Sequence, residues 1–219
     1  MANRAYNFNA GPAALPLEVL ERARDEFVDY AGIGMSIMEI SHRSKEYERV
    51  NDEAQSLVKE LLGVPDGYHI LFLQGGASTQ FATIPLNFIR PGQPAGYVLT
   101  GSWAEKAYKE AKAVGETYVA GSGEASRFRR IPSPDEIDVR PGSAYIHITS
   151  NETIAGSQYA RYPDTGDVPL IADMSSDIMC RTIDVSKFAM IYAGAQKNLG
   201  PSGVTLVIIR DELVKNGAK

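Results

Sequence analysis

The chain reads as an α/β protein built on a mostly parallel sheet with one antiparallel strand. Apolar runs of strand length recur at 68–73, 95–100, 116–120, 143–148, 169–172, 189–192 and 204–209. Strands buried on both faces of a sheet read as such near-continuous runs. Helix-prone stretches separate the earlier ones, which is the alternation of a parallel α/β sheet. The last two differ. Between Tyr192 and Val204 lies only the glycine-rich stretch 193–203, too short and too poor in helical pattern for a parallel crossover. These two strands are therefore predicted to be antiparallel neighbours.

Local signals place the helices. Leu17, Leu20 and Phe27 fall near helical spacing and predict a helix over 17–30, stopped by Gly32 and Gly34. Ser44 is the expected N-cap of a second helix running to Leu62, with Gly63 ending it. A third follows Ser78 and runs to about Ile89, and Pro85 should kink or split it. The stretch 104–114 is strongly helix-prone, whereas 121–140, with Pro132 and Pro134, shows no clear pattern. Residues 1–15 read as an N-terminal arm and 16–219 as one large domain.

A hydrophobic content of 44% gives a real core, and the net charge of −5 excludes a nucleic-acid binder relying on bulk positive charge. Small anions remain admissible, because local donors hold them. The single cysteine, Cys180, excludes an internal disulfide and fits a reducing compartment. The N-terminus lacks the apolar run of a signal peptide, and no stretch approaches the ~18 apolar residues of a membrane span. The expectation is a cytoplasmic protein with no membrane or nucleic-acid partner. His42, His69 and His147 are scattered and suggest no metal set. His69 and His147 are expected as packed structural residues, and Cys180 as a small buried one.

Four candidate sites lie where strands give way to loops, the place where open α/β sheets bind ligands. In Gln74-Gly75-Gly76-Ala77-Ser78-Thr79, two glycines allow close backbone approach and a helix start offers free N–H groups, a combination suited to phosphate. A plain capped turn would look the same. Asp173 follows the apolar run Leu170-Ile171-Ala172 and would pair with a cationic ring nitrogen or cap a turn at Ser175-Ser176. Lys197, in Ala193-Gly194-Ala195-Gln196-Lys197-Asn198, is a positioned amine whose desolvation would free it to attack an aldehyde; an ordinary loop lysine is the alternative. His42-Arg43-Ser44-Lys45 is a compact cationic cluster suited to carboxylate or phosphate, or a solvated helix start.

The segments Asn7–Ala13, Glu39–Ser44, Leu71–Ser78, Gly101–Trp103, His147–Ile154, Ala172–Asp177 and Ile191–Asn198 run in order along essentially the whole chain. In them the sequence closely resembles the phosphoserine aminotransferases, class V aminotransferases of the pyridoxal-phosphate (PLP) fold type I. The resemblance implies an aspartate-aminotransferase-like large domain with helices on both sheet faces and PLP as cofactor. It makes Lys197 the catalytic Schiff-base lysine and Asp173 the partner of the pyridinium nitrogen. Trp103, the only tryptophan, would stack on the ring. Ala77, Ser78 and Gln196 would hold the cofactor phosphate, and Thr153 would sit on the ring-hydroxyl side. Arg43 resembles the residue that grips the glutamate carboxylate, with His42 beside the substrate phosphate. The implied reaction moves an amino group from L-glutamate to 3-phosphohydroxypyruvate, giving O-phospho-L-serine and 2-oxoglutarate. Its place is serine biosynthesis, with a role in pyridoxine biosynthesis in many bacteria. The implied assembly is a homodimer with shared sites.

Family members continue past Lys219 into a small C-terminal domain that carries further cofactor and substrate contacts. On that ground the chain is expected to hold the large domain, to bind PLP weakly and to turn over poorly. Two rival readings remain. Another fold-type-I PLP enzyme would share Asp173 and Lys197 but not the His42-Arg43 segment. A non-catalytic large-domain fragment would not need the pairing of Lys197 with Asp173.

Overall fold

A computed structural model describes residues 4–217; the first three and last two residues of the arm and domain proposed above lie outside it. Seven strands form one sheet: β1 (Tyr68–Gln74), β2 (Ala95–Leu99), β3 (Thr117–Ser122), β4 (Tyr145–Thr149), β5 (Leu170–Asp173), β6 (Met190–Gly194) and β7 (Val204–Arg210). Their order is β1-β7-β6-β5-β4-β2-β3. As predicted, β7 runs antiparallel to β6, and it is also antiparallel to β1. The remaining pairings are parallel. One reversed strand therefore leaves the other six pointing the same way, and their carboxyl ends share one edge of the sheet.

Helices α1 (Leu17–Asp25), α2 (Lys45–Leu62), α3 (Gly76–Phe88), α4 (Ser102–Val114) and α5 (Asp211–Lys215) complete the architecture. Val58 and Leu62 of α2 pack with Ile70, Ile146, Ile148, Ile191 and Ile208 on one face. Phe81 and Ile84 of α3 and Ala104, Ala107 and Ala111 of α4 pack with Tyr97, Tyr145, Ile171 and Tyr192 on the other. Strands β2, β4, β5 and β6 are buried along their whole length, which is why their sequences read as unbroken apolar runs.

Several local expectations change. Helix α1 stops at Asp25 instead of Tyr30 and buries none of its residues, so packing does not extend it. Ser44 caps α2 through the Tyr47 N–H, and Gly63 closes it in the left-handed conformation, both as predicted. Helix α3 runs unbroken through Pro85, which is buried near its end where a single backbone bond is forfeited. Both α3 and α4 start earlier than expected, at Gly76 and Ser102, which puts Ala77, Ser78 and Trp103 in first turns. Strand β1 is an edge strand with Leu71, Phe72 and Leu73 partly exposed, not a buried one.

Candidate functional site

The loops that follow β1, β2, β4, β5 and β6 converge on a cavity of about 360 Å³. Its walls include Gly75, Gly76, Ala77 and Ser78 after β1, Trp103 after β2, and Asn151 and Thr153 after β4. Asp173, Ser175 and Ser176 come from β5 and its exit, and Gln196 and Lys197 from the turn after β6. Gly11 and Pro12 of the N-terminal arm complete the wall. The arm is tied to the site by the Ala13 N–H, which donates to the Gln196 carbonyl at 2.8 Å. A Cβ at Gly11 would come within 3.0 Å of Lys197 Cγ.

Lys197 is half-buried and donates from Nζ to Thr153 Oγ1 at 2.5 Å. Loss of hydration lowers its pKa, while the carboxylates of Asp173 and Glu152 oppose the shift. A larger share of neutral, nucleophilic amine results. Asp173 is the final residue of β5 and only 5% exposed. Burial raises its pKa, opposed by hydrogen bonds from Ser175 and by the charge of Lys197. Its Oδ1 accepts from the Ser175 N–H at 2.9 Å and from the Ser175 hydroxyl at 2.6 Å. The turn-capping and cavity-facing readings of Asp173 thus both apply.

The start of α3 has Gly75 as N-cap and no side-chain cap. Its first N–H groups stay available to an anion, with the positive end of the helix dipole behind them. Gly75 has φ +97°, and a Cβ there would lie 2.3 Å from Thr79 Oγ1. Gln196 is folded back beneath Gly194, whose own Cβ would meet Gln196 Oε1 at 2.6 Å. The indole of Trp103 lies with its centroid 5.9 Å from Lys197 Nζ.

His42 and Arg43 are not among the residues lining this cavity. Both are exposed on the turn that leads into α2, and the Arg43 N–H is used locally by Ser41 Oγ at 3.2 Å. Ala77, Ser78, Trp103, Thr153, Asp173, Gln196 and Lys197 are brought together. His147 is buried as expected, accepting or donating at Nε2 with the Tyr192 hydroxyl at 2.9 Å and stacking on Tyr97. Burial pushes its pKa down to about 3. His69 and Cys180 depart from expectation. His69 sits on the edge strand and pairs with Asp211 at 3.1 Å, and Cys180 is exposed on the turn after β5. Among the described residues no group of His, Cys, Asp or Glu is arranged to hold a metal, and no helix is long and apolar enough to cross a membrane.

Three contributors were not singled out from the sequence. Ser175 and Thr149 reach the cavity from short polar stretches at strand ends, which resemble any turn. Glu152 is fully buried behind Trp103 and accepts two backbone hydrogen bonds there. The glutamate was visible only as part of Asn151-Glu152-Thr153, where no local signal predicts its burial.

Comparison with known proteins gives the same placement. A phosphoserine aminotransferase of Niallia circulans is 63% identical over all 219 residues of this chain, which cover 60% of that relative. A solved phosphoserine aminotransferase from Bacillus circulans subsp. alkalophilus superposes with a TM-score of 0.96 at 62% identity, covering 99% of this chain and 60% of that one. A PLP-bound phosphoserine aminotransferase from Trichomonas vaginalis superposes at 0.91 with 41% identity, covering 99% and 61% respectively. The chain therefore spans about 60% of the length of the relatives it matches. The sequence profile of class-V aminotransferases matches residues 5–218, and the chain belongs to that family.

Proposed function

We propose that this chain carries the PLP-binding domain of a phosphoserine aminotransferase. The whole protein would transfer the amino group of L-glutamate to 3-phosphohydroxypyruvate, giving O-phospho-L-serine and 2-oxoglutarate. The observation that carries the reading is the meeting of Lys197, Asp173 and the uncapped start of α3 around one cavity. A desolvated amine, a buried carboxylate and a cluster of free N–H groups match an aldehyde, a ring nitrogen and a phosphate in turn. The residues present fit the cofactor. When bound, PLP supplies an aldehyde for amine capture and a ring that withdraws electrons from the substrate Cα.

The chain's own groups have distinct tasks. Lys197 offers the amine and carries a proton at Nζ, which Thr153 Oγ1 holds in place. Asp173, fixed by Ser175, would keep a positive charge on the ring nitrogen. The N–H groups of Gly76, Ala77 and Ser78 and the Gln196 side chain would bind phosphate. Trp103 would cover one face of the ring and exclude water. Gly11 and Pro12 narrow the opening above Lys197.

Arg43 and His42 would bind substrate, the carboxylate at Arg43 and the phosphate near His42. Their exposure on the turn before α2 suits a site completed by a second copy of the chain, and a homodimer is the assembly we assign. Residues 1–15 would act as the arm over the site and 16–219 as the cofactor domain. A cytoplasmic place in serine biosynthesis, with a second use in pyridoxine biosynthesis, follows from the same reading.

The discriminating experiment offers L-glutamate, O-phospho-L-serine, L-alanine and L-cysteine to the PLP-loaded protein and follows its visible absorbance. A change with the first two alone is expected. A response to alanine or cysteine instead would assign the chain to a different amino-acid specificity.

A further inference from the structure

We propose that Glu152 is a positioning residue for the ring-covering tryptophan: a carboxylate from the β4 loop that caps α4 in place of a side chain at Gly101. The inference rests on the PLP reading above, but its structural part stands without it.

The start of any helix leaves backbone N–H groups unpaired, and the residue at the N-cap normally supplies the acceptor. At α4 the N-cap is Gly101, which has no side chain to offer. Glu152 Oε1 instead accepts from the Trp103 N–H at 2.9 Å and the Ala104 N–H at 2.8 Å. The glycine is required by this arrangement. A Cβ at Gly101 would stand 2.8 Å from Glu152 Cδ and 3.0 Å from Oε2. Glu152 is fully buried, and its Oε2 has no hydrogen-bond partner in the protein.

A buried carboxylate with one unpartnered oxygen is costly, so its retention calls for a return. The return lies in its neighbours. Thr153, the next residue, holds Lys197 Nζ, and the residues gripped by Oε1 include Trp103 itself. The loop is stiffened by the Glu152 N–H to the Ser157 carbonyl and the Gly156 N–H to the Glu152 carbonyl. One side chain therefore ties the loop that orients Lys197 to the helix turn that presents Trp103. Burial raises the carboxyl pKa, so a neutral amide of the same shape suits the same space.

Trp103 is the only tryptophan, so its fluorescence reports this link directly. In Glu152→Ala without PLP, Trp103 emission should shift to the red and its anisotropy should fall, with the far-ultraviolet circular dichroism retained. PLP affinity, read from quenching of that emission, should weaken about tenfold, which equals about 1.4 kcal/mol. Glu152→Gln keeps the acceptor and should stay within about twofold of wild type. Glu152→Asp keeps the charge but withdraws it from the N–H groups, and should behave like the alanine variant. If alanine leaves Trp103 anisotropy and PLP affinity unchanged, or if glutamine is as damaging as alanine, the proposal fails. Should Glu152→Ala not fold, the contrast between the glutamine and aspartate variants decides. Wild-type emission that PLP does not quench would refute the cofactor reading, while the anisotropy comparison would still test the Glu152 link.

Discussion

The Ser175 hydroxyl donates to Asp173 Oδ1 at 2.6 Å and accepts the Gly194 N–H at 2.9 Å. One small side chain thereby joins the carboxylate at the end of β5 to the start of the turn that carries Lys197. Its hydrogen bonds hold the Asp173 pKa below where burial alone would push it. Ser175→Ala should leave Asp173 with the backbone N–H alone and drive its pKa further up. Hydrogen bonds to charged groups contribute about 1.5–3 kcal/mol. PLP affinity, measured by absorbance titration, should fall about tenfold or more, with the fold intact by circular dichroism.

Lys197 provides a pH test. Its amine is depressed by desolvation and held up by Asp173 and Glu152. The rate at which the chain captures PLP should rise with pH and level off at a lower pH than for a free lysine derivative. Removing a negative neighbour destabilises the ammonium form, so Asp173→Asn should move that midpoint further down. Rate profiles for the two proteins across pH 6–10 check both the position and the direction of the shift.

His147 governs acid stability. Its folded pKa is pushed down to about 3, below the ordinary value of 6.5, so the unfolded chain binds the proton more readily between those two values. The contribution is fully present above pH 6.5 and is lost as pH falls toward 3. The slope is about 1.4 kcal/mol per pH unit. Buried Asp173, with its raised pKa, acts in the opposite sense, so the test is a difference. Stability of wild type minus that of His147→Gln, from urea unfolding, should rise with pH across this window.

Gly75→Ala tests the start of α3. The substitution meets a backbone of φ +97° and a Thr79 hydroxyl 2.3 Å from the new Cβ. Thr79 is itself held by the Gly75 carbonyl at 2.7 Å. Strain at such a position costs about 1–3 kcal/mol. Unfolding free energy should drop by that order, and affinity for PLP should drop further than for pyridoxal, which lacks the phosphate.

Much of this arrangement was legible in the sequence, for identifiable reasons. The buried strands announce themselves because β4, β5 and β6 are covered on both faces. The reversal of β7 follows from a connection too short for a helix. Lys197, Asp173 and the Gly75-Gly76 turn were readable because each stands where an apolar run stops. What escaped depends on distant pairing. Nothing near Glu152 in sequence says that its acceptors serve Trp103 and Ala104, 49 and 48 residues away. Helix α1 was overextended because its apolar spacing exists without a surface to bury it. The expected role of His42 and Arg43 rests on resemblance, since the turn that holds them lies outside the cavity lining.

The central claim is that Lys197 is the amine that takes the cofactor. Incubation of the chain with PLP, reduction with borohydride and mass mapping of the peptides tests it most directly. The account predicts a pyridoxyl-phosphate adduct on the peptide containing Lys197, absent from Lys197→Ala. An adduct spread over surface lysines with Lys197 unmodified, or equal labelling in the alanine variant, would contradict it.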